Sequence, residues 1–222
     1  MKTLRVRASV ASFVGTMVLL LQISQAQAQS YSYAFQFGGY GIGDGQLRGP
    51  VGVATASSGN IIVTDFYNDR VQVFDSQGNF LLKFGSFGSG DGRLYSPVGV
   101  ALDASDNIYV IDSGNNRVQV FDSQGNFLFN FGSYGVGVGQ FAGPGGLALD
   151  ASGNIIVSDY YSDRIQVFDS QGNFLLTFGS PGVGGVGHFN RPLGVAVDAT
   201  GNIYVADSYN DFVQVFAPGG GS

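Results

Sequence analysis

Apolar and polar residues alternate in short runs along this chain, and the runs return in the same order four times. In the unit that starts at Pro97, "VGVALD", "IYVID", "RVQVFD" and "FLFNFGS" each place apolar side chains at or near every second position, the period of a strand with one buried face. Clusters of Asp, Ser, Asn and Gly ("DASDN", "SGNN", "SQGN") separate them and supply the left-handed conformations that tight turns need. Gly and Ala in the first run suit a crowded innermost strand. The segment "YGVGVGQFAGP" is long enough to cross from the outer strand of one unit to the inner strand of the next.

The spacing is regular. Pro50, Pro97, Pro144 and Pro192 open equivalent strands at intervals of 47, 47 and 48 residues, and "RVQVFDSQGNFL" at 70–81 recurs unchanged at 117–128 and with one Ile for Val at 164–175. Four strands in such a period predict an all-β propeller of four-stranded antiparallel blades, with repeats near 38–84, 85–131, 132–178 and 179–216. The last repeat stops after its third strand, "FVQVF", whereas residues 31–37 match an outermost strand. The expectation is therefore a ring closed by strand 31–37 completing the last blade, which hides two sheet edges. An open arc and an assembly sharing blades between chains are the other solutions.

The first thirty residues differ from the rest. Lys2, Arg5 and Arg7 precede a largely apolar run from Ala8 to Ile23, and "AQA" at 26–28 offers small residues to a signal peptidase. This predicts a signal peptide at 1–28, a propeller at 29–217, a flexible tail at 218–222, and a secreted, periplasmic or extracellular protein with no membrane span in its mature chain. Loss of those three cations takes the 10 basic and 16 acidic residues to 7 and 16, a net charge of -9. Such a surface lacks the cationic footprint of a nucleic-acid binder. All 16 acidic residues are Asp, and Cys is absent, which excludes disulfides, thiolate nucleophiles and thiolate metal sites.

The consensus "GQFxxPxGVAxDxxGNIYVxDxxNxRVQVFDxxGxFLxxFG", nearly complete in the second and third repeats, resembles the NHL repeat, in the form found in secreted bacterial proteins. The resemblance implies a β-propeller, typically six-bladed, used for protein binding, RNA binding or, in some relatives, lyase chemistry.

Two residue sets invite a functional reading. The first is Asp65, Asn68 and Arg70, repeated as Asp112, Asn115 and Arg117, as Asp159 and Arg164, and as Asp207 and Asn210 with Phe212 in the Arg place. A catalytic site breaks the symmetry of a ring, so a set present in every blade reads as a structural latch locking one blade to another through charge-assisted bonds. The second is aromatic: Tyr40, Phe66, Tyr67, Phe87, Tyr134, Tyr160, Tyr161 and Tyr209 all fall in turns or crossings that a propeller gathers on one face. Exposed rings among Asp and few cations suit a protein or polysaccharide partner.

No residue set is assigned to catalysis. His188 is the one histidine, too few for the zinc ligands that amidating propeller lyases require, and streptogramin-type lyases also depend on His. Lactonase-like propellers hold a metal with a Glu that is absent here. There is no GxSxG elbow, no Glu pair and no DxDxDG loop. No cofactor is expected, although Asp and Asn are chemically able to hold calcium. The expected function is thus an exported, non-enzymatic binding or scaffold module. A metal-dependent lyase or lactonase is the alternative, and self-association through blade edges is a third reading.

Overall fold

A computed structural model describes residues 31–219. The 1–28 leader assignment and residues 220–222 of the tail lie outside the described residues. Residues from Gln36 onward make one compact unit, and residues 31–35, outside it, carry no secondary structure.

The fold is a β-propeller of four blades. Blade one contains β1 (Pro50–Thr55), β2 (Ile61–Asp65), β3 (Arg70–Phe74) and β4 (Phe80–Phe84). Blade two contains β5 (Pro97–Leu102), β6 (Ile108–Asp112), β7 (Arg117–Phe121) and β8 (Phe127–Phe131). Blade three contains β9 (Pro144–Leu149), β10 (Ile155–Asp159), β11 (Arg164–Phe168) and β12 (Phe174–Phe178). A two-residue parallel pair, β13 (Ser180–Pro181) with β14 (His188–Phe189), then closes the base of the crossing loop. Blade four contains β15 (Pro192–Val197), β16 (Ile203–Asp207) and β17 (Phe212–Phe216). Each blade is an antiparallel meander in chain order.

Local chemistry explains the meander. In each "DSQGN" turn the first Asp accepts backbone N–H bonds from residues two and four further on, as Asp75 does from Gln77 (2.9 Å) and Asn79 (2.8 Å). Gly78 stands in the left-handed region at φ 83, and Gly125 and Gly172 repeat it. These twelve-residue copies therefore build hairpins.

The core lies between blades. Val71 and Val73 of blade one join Ile108, Val110 and Phe121 of blade two, and Val118 and Val120 of blade two join Ile155, Val157 and Phe168 of blade three. The last Phe of each outer strand stacks on the third strand of the following blade: Phe84 on Phe121 at 4.6 Å, Phe131 on Phe168 at 4.7 Å, Phe178 on Phe216 at 4.7 Å. Inner strands approach through glycine. A Cβ on Gly146 would stand 2.1 Å from the Leu193 carbonyl oxygen, so any other residue would push blades three and four apart.

Two expectations fail. Four blades are present, so the six-bladed ring does not apply. Nor does strand 31–37 complete the last blade: among the described residues blade four has three strands, and residues 31–39 carry no strand. The inner strands pack in succession, β1 on β5, β5 on β9 and β9 on β15, and among the described residues no comparable packing joins β15 to β1. Phe37 instead stacks on Phe74 of blade one at 4.8 Å.

Candidate functional site

The Asp of each second strand and the Arg of each third strand face one another directly in the sheet register, as Asp65 with Arg70, Asp112 with Arg117 and Asp159 with Arg164. In blade one the fully buried Asp65 carboxylate accepts from Arg70 Nε (2.8 Å), Asn68 Nδ2 (2.8 Å), Gln72 Nε2 (3.1 Å) and the Arg48 backbone N–H (2.6 Å). Arg70 spends its remaining donors on the carbonyls of Ile42, Gly43 and Gln46. Blade two repeats the set with Asp112, Asn115, Arg117 and Gln119.

The clasp therefore closes on the crossing loop that leads into its own blade, not on the neighbouring blade. That is a correction to the expected lock between blades. Blades are joined by a different residue, one place before the Arg and in left-handed conformation: Asp69 accepts from the Ser96 N–H (2.8 Å), Asn116 from Gly143 (2.9 Å) and Asp163 from Arg191 (2.7 Å). Neither these residues nor the clasp glutamines stood out in the sequence. The glutamines left a signal, a polar residue on an otherwise apolar strand in every "RVQVF" copy.

Blades three and four hold weaker clasps. Asp159 has the Ala142 N–H (2.7 Å) and Arg164 (2.9 Å), with Ser162 in the Asn place, and burial pushes its carboxyl above the usual range against the opposing pull of Ala142, Arg164 and Ser162. Asp207 keeps Asn190 N–H, Asn210 and Gln214 but faces Phe212, so it has no counter-charge. All four carboxylates are occupied by structural donors. Among the described residues no three His, Cys, Asp or Glu converge as a metal ion requires. His188 lies in the fourth crossing loop, its Nδ1 3.0 Å from Ser180 Oγ.

The aromatic set is where side chains remain available. Tyr40, Tyr67, Phe87, Tyr134, Tyr161 and Tyr209 are exposed, while Phe66 and Tyr160 are half-buried and brace their neighbours edge-on, Phe66 against Tyr67 and Tyr160 against Tyr161, both at 4.8 Å. The structure brings Phe66, Tyr134 and Tyr161 to one depression of about 570 Å³, together with Tyr95, which sequence reasoning missed. Tyr160 and Tyr161 also line an adjoining depression of about 470 Å³, whose floor is Val51, Val98 and Leu193 of the inner strands. Beside it, Arg191 stacks over Tyr209 at 4.4 Å and stands 5.7 Å from the Tyr160 ring. Hydrogen bonding with Tyr160, then with Arg191, and last the Arg191 charge hold the Tyr209 phenol below its ordinary value, and the Tyr160–Tyr209 hydrogen bond raises Tyr160. Tyr40 and Phe87 do not line either depression; each is bridged across its own crossing loop, to Leu47 and Leu94.

The profile described as NHL repeat matches residues 47–74, 94–121, 141–168 and 189–216, together half of the chain. Over 41 residues, 18% of this chain, the sequence is 49% identical to Protein lin-41 of Caenorhabditis elegans, of which that stretch is 4%. Among solved structures, a streptogramin B lyase matches with TM-score 0.64 at 15% identity, over 84% of this chain and 56% of that one. The virginiamycin B lyase of Staphylococcus aureus matches with TM-score 0.56 at 10% identity, over 78% and 56%. At these identities the likeness is one of fold. The chain spans a small part of the curated relative and just over half of each lyase.

Proposed function

The chain belongs to the NHL repeat family, and on that premise we propose that it is a binding module whose ligand is a polypeptide held on the aromatic loop face. One observation carries the reading: Tyr134, Tyr161, Tyr95 and Phe66 line one depression at the junction of the first three blades, with Arg191 stacked over Tyr209 beside it. Tyr and Arg held rigid by ring contacts are the residues that dominate protein interfaces, since they bring large contact area at small entropic loss. The depression is shallow and open, the form of a surface that receives a side chain or a loop and not of a closed reaction chamber. The lyase reading has less support, because the chain's one histidine is engaged with Ser180 in a crossing loop and the buried carboxylates are saturated by structural donors.

The test is panning of a random peptide display library on the wild-type chain, followed by Tyr134→Ala/Tyr161→Ala. Selected peptides should lose at least about tenfold in affinity, as expected for removal of central aromatic anchors, with circular dichroism and melting unchanged. Equal binding by the variant, or binding of soluble polysaccharides in place of any peptide, would overturn the assignment.

A further inference from the structure

The two flanking blades each present half of an interface that the interior of the molecule completes three times. We propose that copies of this chain associate head to tail, blade four of one docking on blade one of the next with the geometry of the internal blade junctions.

Blade four carries the donor half. Val213 and Val215 of β17 are 67% and 54% exposed, whereas the residues at the same places, Val71 and Val73, Val118 and Val120, Ile165 and Val167, are all between 0% and 7% because the next blade covers them. Tyr204 is likewise exposed where Ile62, Tyr109 and Ile156 are buried. Blade one carries the receiving half: Val53 of β1 is exposed, and its counterpart Val100 packs into the core that blades one and two share.

The inner strands repeat the relation. Cβ atoms built on Gly52, Gly99 and Gly146 would meet the following blade's backbone, at Val98, Gly145 and Leu193, whereas one on Gly194 would meet only Ala206 of its own blade, at 3.6 Å. The polar link is waiting too. Asp211 has the same left-handed conformation as Asp69, Asn116 and Asp163, but no hydrogen bond of its carboxylate is formed among the described residues. By the repeat interval its partner is the N–H of Gly49, the residue equivalent to Ser96, Gly143 and Arg191.

The outer strand completes the correspondence. Phe37 occupies on Phe74 the place that Phe84 occupies on Phe121, so its segment is held where the outer strand of a preceding blade belongs. Among the described residues blade four has three strands and lacks that element. A docked neighbour would thus supply the apolar cover, the N–H for Asp211 and the segment for the open edge of β17 in one movement. A heterologous contact of this kind closes into a ring or continues as a filament, according to the rotation it imposes.

The experiment uses the chain from Gln29 to Ser222, free of the apolar run at 8–23 that would associate by itself, as light scattering over a concentration series, beside Gly194→Val and Val53→Asp. At Gly194 the free chain gives a Cβ only an ordinary contact, with Ala206 at 3.6 Å, and circular dichroism checks that the Val γ-methyls are accommodated, yet a side chain there intrudes where a neighbour's inner-strand backbone must sit. Wild type should associate, and each variant should weaken association by at least about tenfold with unaltered circular dichroism. An equimolar mixture of the two variants should recover one-to-one pairs, because each retains the half that the other has lost. A wild-type chain that stays monomeric, a Gly194→Val variant that associates like wild type, or a mixture that stays monomeric would each overturn the proposal.

Discussion

Replacing Arg117 by Met keeps most of the aliphatic stem and deletes the guanidinium. Asp112 would remain fully buried and keep three donors: the Tyr95 N–H at 2.7 Å, Asn115 at 2.8 Å and Gln119 at 3.0 Å. It would lose the counter-charge at 2.8 Å, the Gly90 carbonyl would lose its Arg117 donor, and the Arg93 carbonyl would keep only Gln119. Removing one partner of a buried pair costs roughly 3–5 kcal/mol, and the three surviving donors place this site near the lower bound, about 3 kcal/mol. For a domain of this size that is a fall of about 6–12 °C in melting temperature. Arg164→Met should cost more, because Asp159 would keep the Ala142 N–H and the Ser162 hydroxyl, a weaker set than the three donors left to Asp112. The assay is urea denaturation followed by far-ultraviolet circular dichroism and tyrosine fluorescence, the chain having no Trp. Asp112→Asn in the Arg117→Met background should recover at least half of the loss, since it discharges the stranded carboxylate. A loss below about 1 kcal/mol, the level of an exposed ion pair, would refute the reasoning, as would an Asp112→Asn change that adds its own cost.

Phe212→Arg should install the missing counter-charge opposite Asp207 and raise stability by about 1.5 kcal/mol, the net worth of a hydrogen bond to a charged group, read by the same denaturation. Gly125→Ala should destabilise by more than about 1 kcal/mol, because φ 81 forbids it and the new methyl would stand 2.5 Å from Phe84. Burial, then the charge of Asp103, push the Tyr109 phenol up to about 12. Its folded value lies above the unfolded one of 10.0, so the stability it contributes is whole below pH 10 and is lost as pH rises toward 12; Tyr109→Phe should remove this alkaline phase from pH-dependent melting curves. The turn carboxylates Asp75, Asp122 and Asp169 are lowered from 3.8 first by their Asn side chains. Their contribution is present above that value and is lost as pH falls through the lower native ones, so Asp→Asn changes there should flatten the acid limb of the stability curve.

The repeat period, the strands and the hairpin turns were legible because each depends on residues a few positions apart. The pairing of the chain's two ends was not, because it depends on the angle between successive blades, a sum of many small packing choices that no local pattern encodes. The same holds at the site. Sequence reasoning found the turn aromatics by their place in the repeat, but which rings line the depression depends on how three blades meet. Tyr95 and Arg191 escaped because each stands in a crossing loop at a place where the other repeats have different residues. The clasp's direction was misjudged for a related reason: a charged pair at a fixed spacing says that two groups meet, and nothing about which loop the remaining donors reach.

That direction has a consequence for how such a chain can change. Arg70, Arg117 and Arg164 take their carbonyl partners from residues 24 to 28 positions upstream, inside the same period. Excising one whole period, or copying it in tandem, orphans no clasp and cuts no buried charge pair. What such an event alters is the set of junctions, and those are nearly interchangeable from blade to blade. Gene-level slippage in this array would therefore yield proteins that differ in length while each blade keeps its own internal wiring, and blade number becomes a heritable variable open to selection.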